Sequence, residues 1–236
     1  MQIDSKFLCQ HVTIPSLLFF YLMGSLEVTR ADLKLADWLF QLEGSQWSLR
    51  DNYWLSDILH SGGQTFFSLV VTLLICCFLA SYFFASLSQY RRPLFYLALA
   101  VPLSVAIFTN LGKQLTHVDC PWDLIRYGGK KPFLDLFASH PGYYKFGKCF
   151  PAGHSSIGYS LLSLYFFFLV VAPRWKFFGL AIGLAIGFIF GITQQLRGAH
   201  FISHDLWTLV ACWFISLAWY LILFHYTSPK DSKYSV

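Results

Sequence analysis

The sequence predicts an all-α fold: a polytopic integral membrane protein of six transmembrane helices, with an interfacial helical stretch and a long external loop. Three observations predict it. Of the 236 residues, 56% are hydrophobic and only 12% charged, whereas a soluble domain carries about a quarter charged residues to cover its surface. The apolar residues come in blocks rather than amphipathic stripes, which points to lipid as the solvent. Lys and Arg, finally, gather in alternate connections between the blocks.

The apolar segments run in order. The first, about 12–26, is short and carries Pro15. The stretch before it lacks the basic region, apolar run and small-residue cleavage site of a removable leader, so this segment reads as a retained helix. The second, 65–87, contains VVTLLICCFLASYFF without a charge, and the third, 93–111, carries Pro102, a kink for neighbouring helices to accommodate. The fourth covers 155–172, the fifth 177–193 and the sixth 206–224. Each can cross about 30 Å of hydrocarbon, the shortest two with help from flanking residues. In the fifth, Gly179, Gly183, Gly187 and Gly191 recur every fourth residue, a smooth strip for close helix packing.

Orientation follows from the short connections. Lys6, Arg91, Arg92, Arg174, Lys176, Lys230 and Lys233 all fall on one side, which the positive-inside rule makes cytoplasmic, with both termini there. Residues 28–64, 112–153 and 194–205 are then external. Residues 28–64 mix Trp38, Trp47 and Trp54 with acids and bases; too polar to span, they read as one or two interfacial amphipathic helices. The whole chain, 1–236, reads as one membrane domain. The 112–153 loop breaks the charge rule with Lys113, Arg126, Lys130, Lys131, Lys145 and Lys148, an electropositive mouth for an anionic substrate or lipid headgroup. Lys130, Lys131 and Arg126 are candidates for a second phosphate. The formal charge of +5 has no soluble basic face to sit on, so nucleic acid is not an expected partner.

Chemistry-bearing residues stand at three external segment ends: Lys113 after the third, Gly153 and His154 opening the fourth, and Arg197 to Asp205 between the fifth and sixth. A helix start at His154, with its free N–H groups and dipole, favours an anion. Lys113 and Arg197 add positive charge, Arg with a bidentate fork for phosphate oxygens. His154 and His200 supply a nucleophile and a general acid, the pair that phosphoryl transfer through a covalent intermediate requires. No carboxylate cluster suited to magnesium is present in the sequence. His200 and His204 have a metal-sharing spacing, but Phe201 occupies the place of the zinc-protease Glu. Paired charges deep in the helices, the mark of a transporter, are absent from the sequence.

These residues carry a resemblance. KQLTHVDCP resembles the first signature of the type 2 phosphatidic acid phosphatase (PAP2) superfamily, Lys, six residues, Arg-Pro; PAGH resembles its Pro-Ser-Gly-His; and LRGAHFISHD resembles its third, Arg, five residues, His, three residues, Asp. The resemblance covers the chain from the second segment onward. It implies His200 as the nucleophile that becomes phosphohistidine, His154 as the acid, and Lys113, Arg197 and Gly153 as phosphate-binding positions, with no cofactor and no metal. It further implies a phosphatase acting on a lipid-linked phosphate or diphosphate at the external (periplasmic) face of a bacterial inner membrane. The relatives suggested act on lipid A, undecaprenyl diphosphate or phosphatidylglycerophosphate. Alternatives are a lipid phosphotransferase using the same intermediate, or a degenerate lipid-binding relative.

The chain departs from the signatures at Cys120, Ala152 and Gln194, which stand where Arg, Ser and Arg are expected. Arg197 shares a helix face with Gln194 and is a displaced substitute. The fourth residue after His200 is His204, and Asp205 follows. On a continuous helix they lie about 40° and about 140° around from His200. His204 is better placed, Asp205 better charged to orient an imidazolium; the pair is kept jointly. His117 and His140 read as loop residues. Cys120 and Cys149 share the external loop, where an oxidising compartment permits a bridge; a Cys120–Cys149 disulfide is expected, constraining the loop by about 3 kcal/mol in the chain-entropy model.

Overall fold

The computed structural model describes residues 4–134 and 147–226; His140, Lys145, Lys230 and Lys233 lie outside them. The described chain is a bundle of long helices: α1 (Ser5–Thr29), α2 (Ala31–Leu42), α3 (Trp54–Ala80), α4 (Arg91–Val105), α5 (Gly153–Val171), α6 (Lys176–Leu196) and α7 (Ile202–Leu221). The only β pairing among the described residues is an isolated bridge, Leu124 to Lys131. The chain is an all-α polytopic membrane protein.

Five helices are long and apolar enough to cross a membrane: α1, α3, α5, α6 with its leading turn from Pro173, and α7. The expected count was six. The difference is α4, whose 15 α-helical residues fall short of the roughly 20 that span hydrocarbon. It is prolonged by a π-helical run, Ala106–Leu111, and a final turn, Gly112–Thr116. Pro102 lies just before this change of pitch, where its missing N–H removes one rung of the α ladder.

The second segment begins eleven residues earlier than its apolar block. Asn52 accepts from the backbone N–H of Trp54 at 3.0 Å and Leu55 at 3.4 Å, an N-terminal cap that starts the helix there. Residues Trp54–Ser61 are thus π-helical opening turns of α3 rather than interfacial helix, and the helix ends at Ala80, not 87. Of the expected interfacial stretch only α2 is a separate amphipathic helix, and its polar edge is turned to the protein, as its contacts below make plain.

Lipid tails are as apolar as Leu, so the bundle must be held by packing and hydrogen bonds. The glycine strip of α6 does the first. A Cβ on Gly179 would press on Leu164, on Gly183 on the backbone of Leu162, and on Gly187 into the ring of Tyr159, all on α5. Gly158 of α5 in turn meets the backbone of Gly187. Buried hydroxyls do the second: Ser163 and Ser216 share a 2.9 Å hydrogen bond between α5 and α7. At the bundle end away from the loops, Phe7, Tyr96, Val101, Phe166, Leu217 and Tyr220 form one buried cluster. His11 joins it, bonded to the Phe7 carbonyl at 2.8 Å and the Tyr165 hydroxyl at 2.9 Å.

Candidate active site

At the opposite end, the loops and helix termini converge. The last turn of α4 brings Lys113 over the first turn of α5: a Cβ added to Gly153 would sit 3.1 Å from Lys113 Nζ and 3.2 Å from Thr109 Cγ2. Glycine at 153 is what lets the ammonium approach the helix start. No side chain caps α5, because its cap position is Ala152, which has no acceptor; Ser155 and Ser156, inside the first turn, donate back to the carbonyls of Ala152 and Gly153. The leading N–H groups and the positive end of the dipole therefore remain available to an anion beside Lys113.

His154 is the second residue of α5. Its Nε2 bonds to the His60 carbonyl at 3.2 Å, and its ring stacks on the His60 ring with centroids 3.7 Å apart. Lys113, Arg197 and His60 are its charged or titratable neighbours.

Arg197 caps the C-terminal end of α6, after which Gly198, at φ +68°, turns the chain. A side chain at 198 would be barred twice, by that dihedral and by the Trp47 ring packed against its Cα. The Arg197 guanidinium is buried and gripped on three sides: Nε donates to the Arg50 carbonyl at 2.7 Å, Nη1 to Gln194 Oε1 at 3.3 Å and Nη2 to Ser56 Oγ at 3.4 Å. Gln194 and Arg197 thus share a face as their spacing suggests. Burial lowers the Arg197 pKa, opposed by Asp51, but a guanidinium keeps its charge at any ordinary pH.

His200 lies in the connection between α6 and α7 and is buried. Its Nδ1 faces Nδ1 of His204 at 3.4 Å, and both rings face the Cys149 backbone. Burial, with His204 and Lys113 adding to it, holds His200 well below the usual imidazole range, so the ring is neutral at neutral pH. Burial also lowers Lys113, with Lys148 adding.

Asp205 does not reach His200. The α7 helix starts at Ile202 with Phe201 as its cap, so one further residue turns the carboxylate about 100° away from His204. There it accepts from Gln195 Nε2 at 2.6 Å and lies against Gly191 and Ser155. Of the two candidate orienters, His204 is the one in contact.

Other bonds lace these parts together. The Thr208 hydroxyl accepts from the Ala152 N–H at 3.1 Å and donates to the His204 carbonyl at 2.7 Å, tying the α5 start to α7. Cys149 N–H donates to the Val118 carbonyl at 2.9 Å, which pairs the two ends of the loop. Cys120 and Cys149 then stand at disulfide distance, Cα atoms 5.2 Å apart. The α2 helix brackets the loop: Asp37 takes a two-pronged grip from Arg126, both contacts 2.6 Å, and a third bond from Tyr127. That grip holds the Asp37 carboxyl below its usual range. Asp32 accepts from Ser203 N–H at 2.9 Å, supplying from α2 the cap that Phe201 cannot. Arg126 and Lys131, which pairs with Asp119, are therefore engaged with carboxylates rather than standing ready for a second phosphate.

Sequence reading missed His60, Thr208, Asp32 and the Arg50–Ser56 grip on Arg197. None belongs to a motif; the one usable signal was Asn52, a helix start that carries His60 toward the site.

A helical membrane bundle gathers a neutral buried histidine, two cations and an uncapped helix start at one end, which defines the class as an integral-membrane protein with a cationic candidate site. The family model of the PAP2 superfamily matches residues 89–228, more than half of the chain, and the protein belongs to that family, whose members are phosphatases. No curated protein and no solved structure gives a significant match to the chain.

Proposed function

We propose that the protein is a lipid phosphatase that removes phosphate from a lipid-linked monophosphate or diphosphate through a phosphohistidine on His200. The observation that carries this reading is the His200–His204 contact, set beside Lys113, Arg197 and the α5 start. With its Nδ1 proton directed at His204, His200 presents the lone pair of Nε2 to phosphorus. The P–N bond forms as the P–O bond to the lipid breaks, and the departing oxygen takes a proton from His154. Lys113, Arg197 and the N–H groups of Gly153 and its neighbours hold the charge on the phosphoryl oxygens. Water then attacks phosphorus, gives its proton to His154, and the electron pair of the P–N bond returns to His200, releasing phosphate. The cations at the site supply the charge stabilisation, so the reaction is expected to proceed without a metal or cofactor.

The charge pattern of the connections supports placing the site on the external face, with both termini cytoplasmic. The phosphate would then meet the loops while the lipid chains stay among the helices. Phosphate release from a panel of lipid phosphates, in detergent, tests the reading. The wild type releases phosphate, with or without chelator, and His200→Ala lowers the rate by at least about a thousandfold. No release from any lipid by the wild type removes the enzyme reading, and strong inhibition by chelator removes the metal-free step. Phosphate appearing on an added lipid alcohol instead of in solution identifies a phosphotransferase.

A further inference from the structure

The family match begins at residue 89, yet part of the site is built from residues well before it. Arg50 and Ser56 hold the Arg197 guanidinium. His60, at the end of the π-helical opening of α3, meets His154 in two ways at once. Its carbonyl accepts from Nε2 of His154, and its imidazole lies on the His154 ring at 3.7 Å with the planes 23° apart.

These contacts restrain different motions. A hydrogen bond at one edge of an imidazole fixes which nitrogen points there but leaves the ring free to swing about that edge. A flat ring stacked on its face removes the swing. With Nε2 committed to the carbonyl, Nδ1 is the nitrogen left to deliver a proton. The support behind His60 is firm: three residues on, Gly63 packs against the Phe190 ring of α6, where a Cβ would come within 3.1 Å.

We infer that His60 is a positioning residue for the proton donor His154, its ring fixing the plane of the donor and its backbone carbonyl fixing the edge. This rests on the reading of His154 as the acid in lipid-phosphate hydrolysis. Substitution at 60 keeps the carbonyl and removes only the ring, so the stack can be tested by itself.

The experiment measures kcat and KM for release of phosphate from a lipid phosphate by wild type, His60→Ala and His60→Phe, with thermal unfolding of each in the same detergent. His60→Ala is expected to lose about tenfold to a hundredfold in kcat with KM within about twofold, the signature of a misplaced reacting group. His60→Phe restores the flat face without an ionisable group and is expected to return kcat to within about threefold of wild type. Wild-type kcat in a folded His60→Ala protein overturns the inference. So does a His60→Phe protein that is folded but as slow as His60→Ala, since a ring that only stacks would then not suffice. If His60→Ala does not fold, His60→Leu, which fills the space without a flat face, replaces it and must show the same loss. A wild type without phosphatase activity fails the underlying reading instead, an outcome distinct from all of these.

Discussion

Replacing Asp32 separates two effects that burial has combined in one side chain. Its Oδ1 caps α7 by accepting the Ser203 N–H at 2.9 Å, and Phe201, the residue at the cap position, contributes no side-chain bond of its own. Asp32→Ala therefore removes the sole side-chain cap seen on this terminus and should cost about 1 kcal/mol, or about 2–4 °C in Tm for a chain of this size. Asp32→Asn keeps an oxygen for the same N–H. It also sheds the charge, and burial pushes the Asp32 carboxyl up from its ordinary value. For a carboxyl raised in the folded state, the associated stability is complete below the ordinary 3.8 and is lost as pH climbs through the raised pKa. Wild type and Asp32→Asn should thus melt together near about pH 4, and Asn should gain on the wild type as pH rises toward neutrality. Thermal unfolding in detergent at both pH values reads the outcome. An Asp32→Asn protein that falls as far as Asp32→Ala at neutral pH, or an Asp32→Ala protein that melts with the wild type, refutes the reasoning.

Three further outcomes are expected. Reduction, or the double change Cys120→Ser and Cys149→Ser, should release the loop and lower stability by about 3 kcal/mol; reduction should slow migration of the wild type on a denaturing gel but leave the double variant unmoved, and equal migration with two alkylatable thiols in the untreated protein counts against the bridge. Gly158→Ala should destabilise by about 1–3 kcal/mol, because its Cβ meets the backbone of Gly187, which cannot swing aside; unfolding in detergent checks it. Because the His200 pKa lies below its ordinary 6.5 in the folded protein, the stability tied to the neutral ring is complete above that value and is lost as pH falls toward the depressed pKa. The acid limb of kcat/KM should accordingly lie below pH 6.5, and a limb above it would show His200 to be protonated too easily to act as described.

Particular residues show what sequence could and could not yield. The apolar blocks located the helices, because a membrane demands long runs of them. They misplaced the start of α3, since Ser56, Asp57 and His60 made its first turns too polar to read as span. That Lys113, His154, Arg197 and His200 lie at one end of the bundle was legible, because all four sit at helix ends on the same side. The choice between His204 and Asp205 was not, because position favoured the first and charge the second, and only the packing of α7 shows Asp205 taken up by Gln195 instead. Asp32 belongs to no motif; its partner, Ser203, is a contact 171 residues away that no local pattern encodes.

The Thr208 hydroxyl is a single oxygen that answers to both helices of the candidate site, receiving from Ala152 on one and giving to the His204 carbonyl on the other. Mechanically it is a rivet. The start of α5, with His154, and the His204 turn of α7 cannot drift apart without shearing it, so the spacing of the two helices at the candidate site is set by a buried hydroxyl. Tolerance in that spacing is then a property of residue 208. A valine there, nearly the same size, would leave the plates in place and take out the pin.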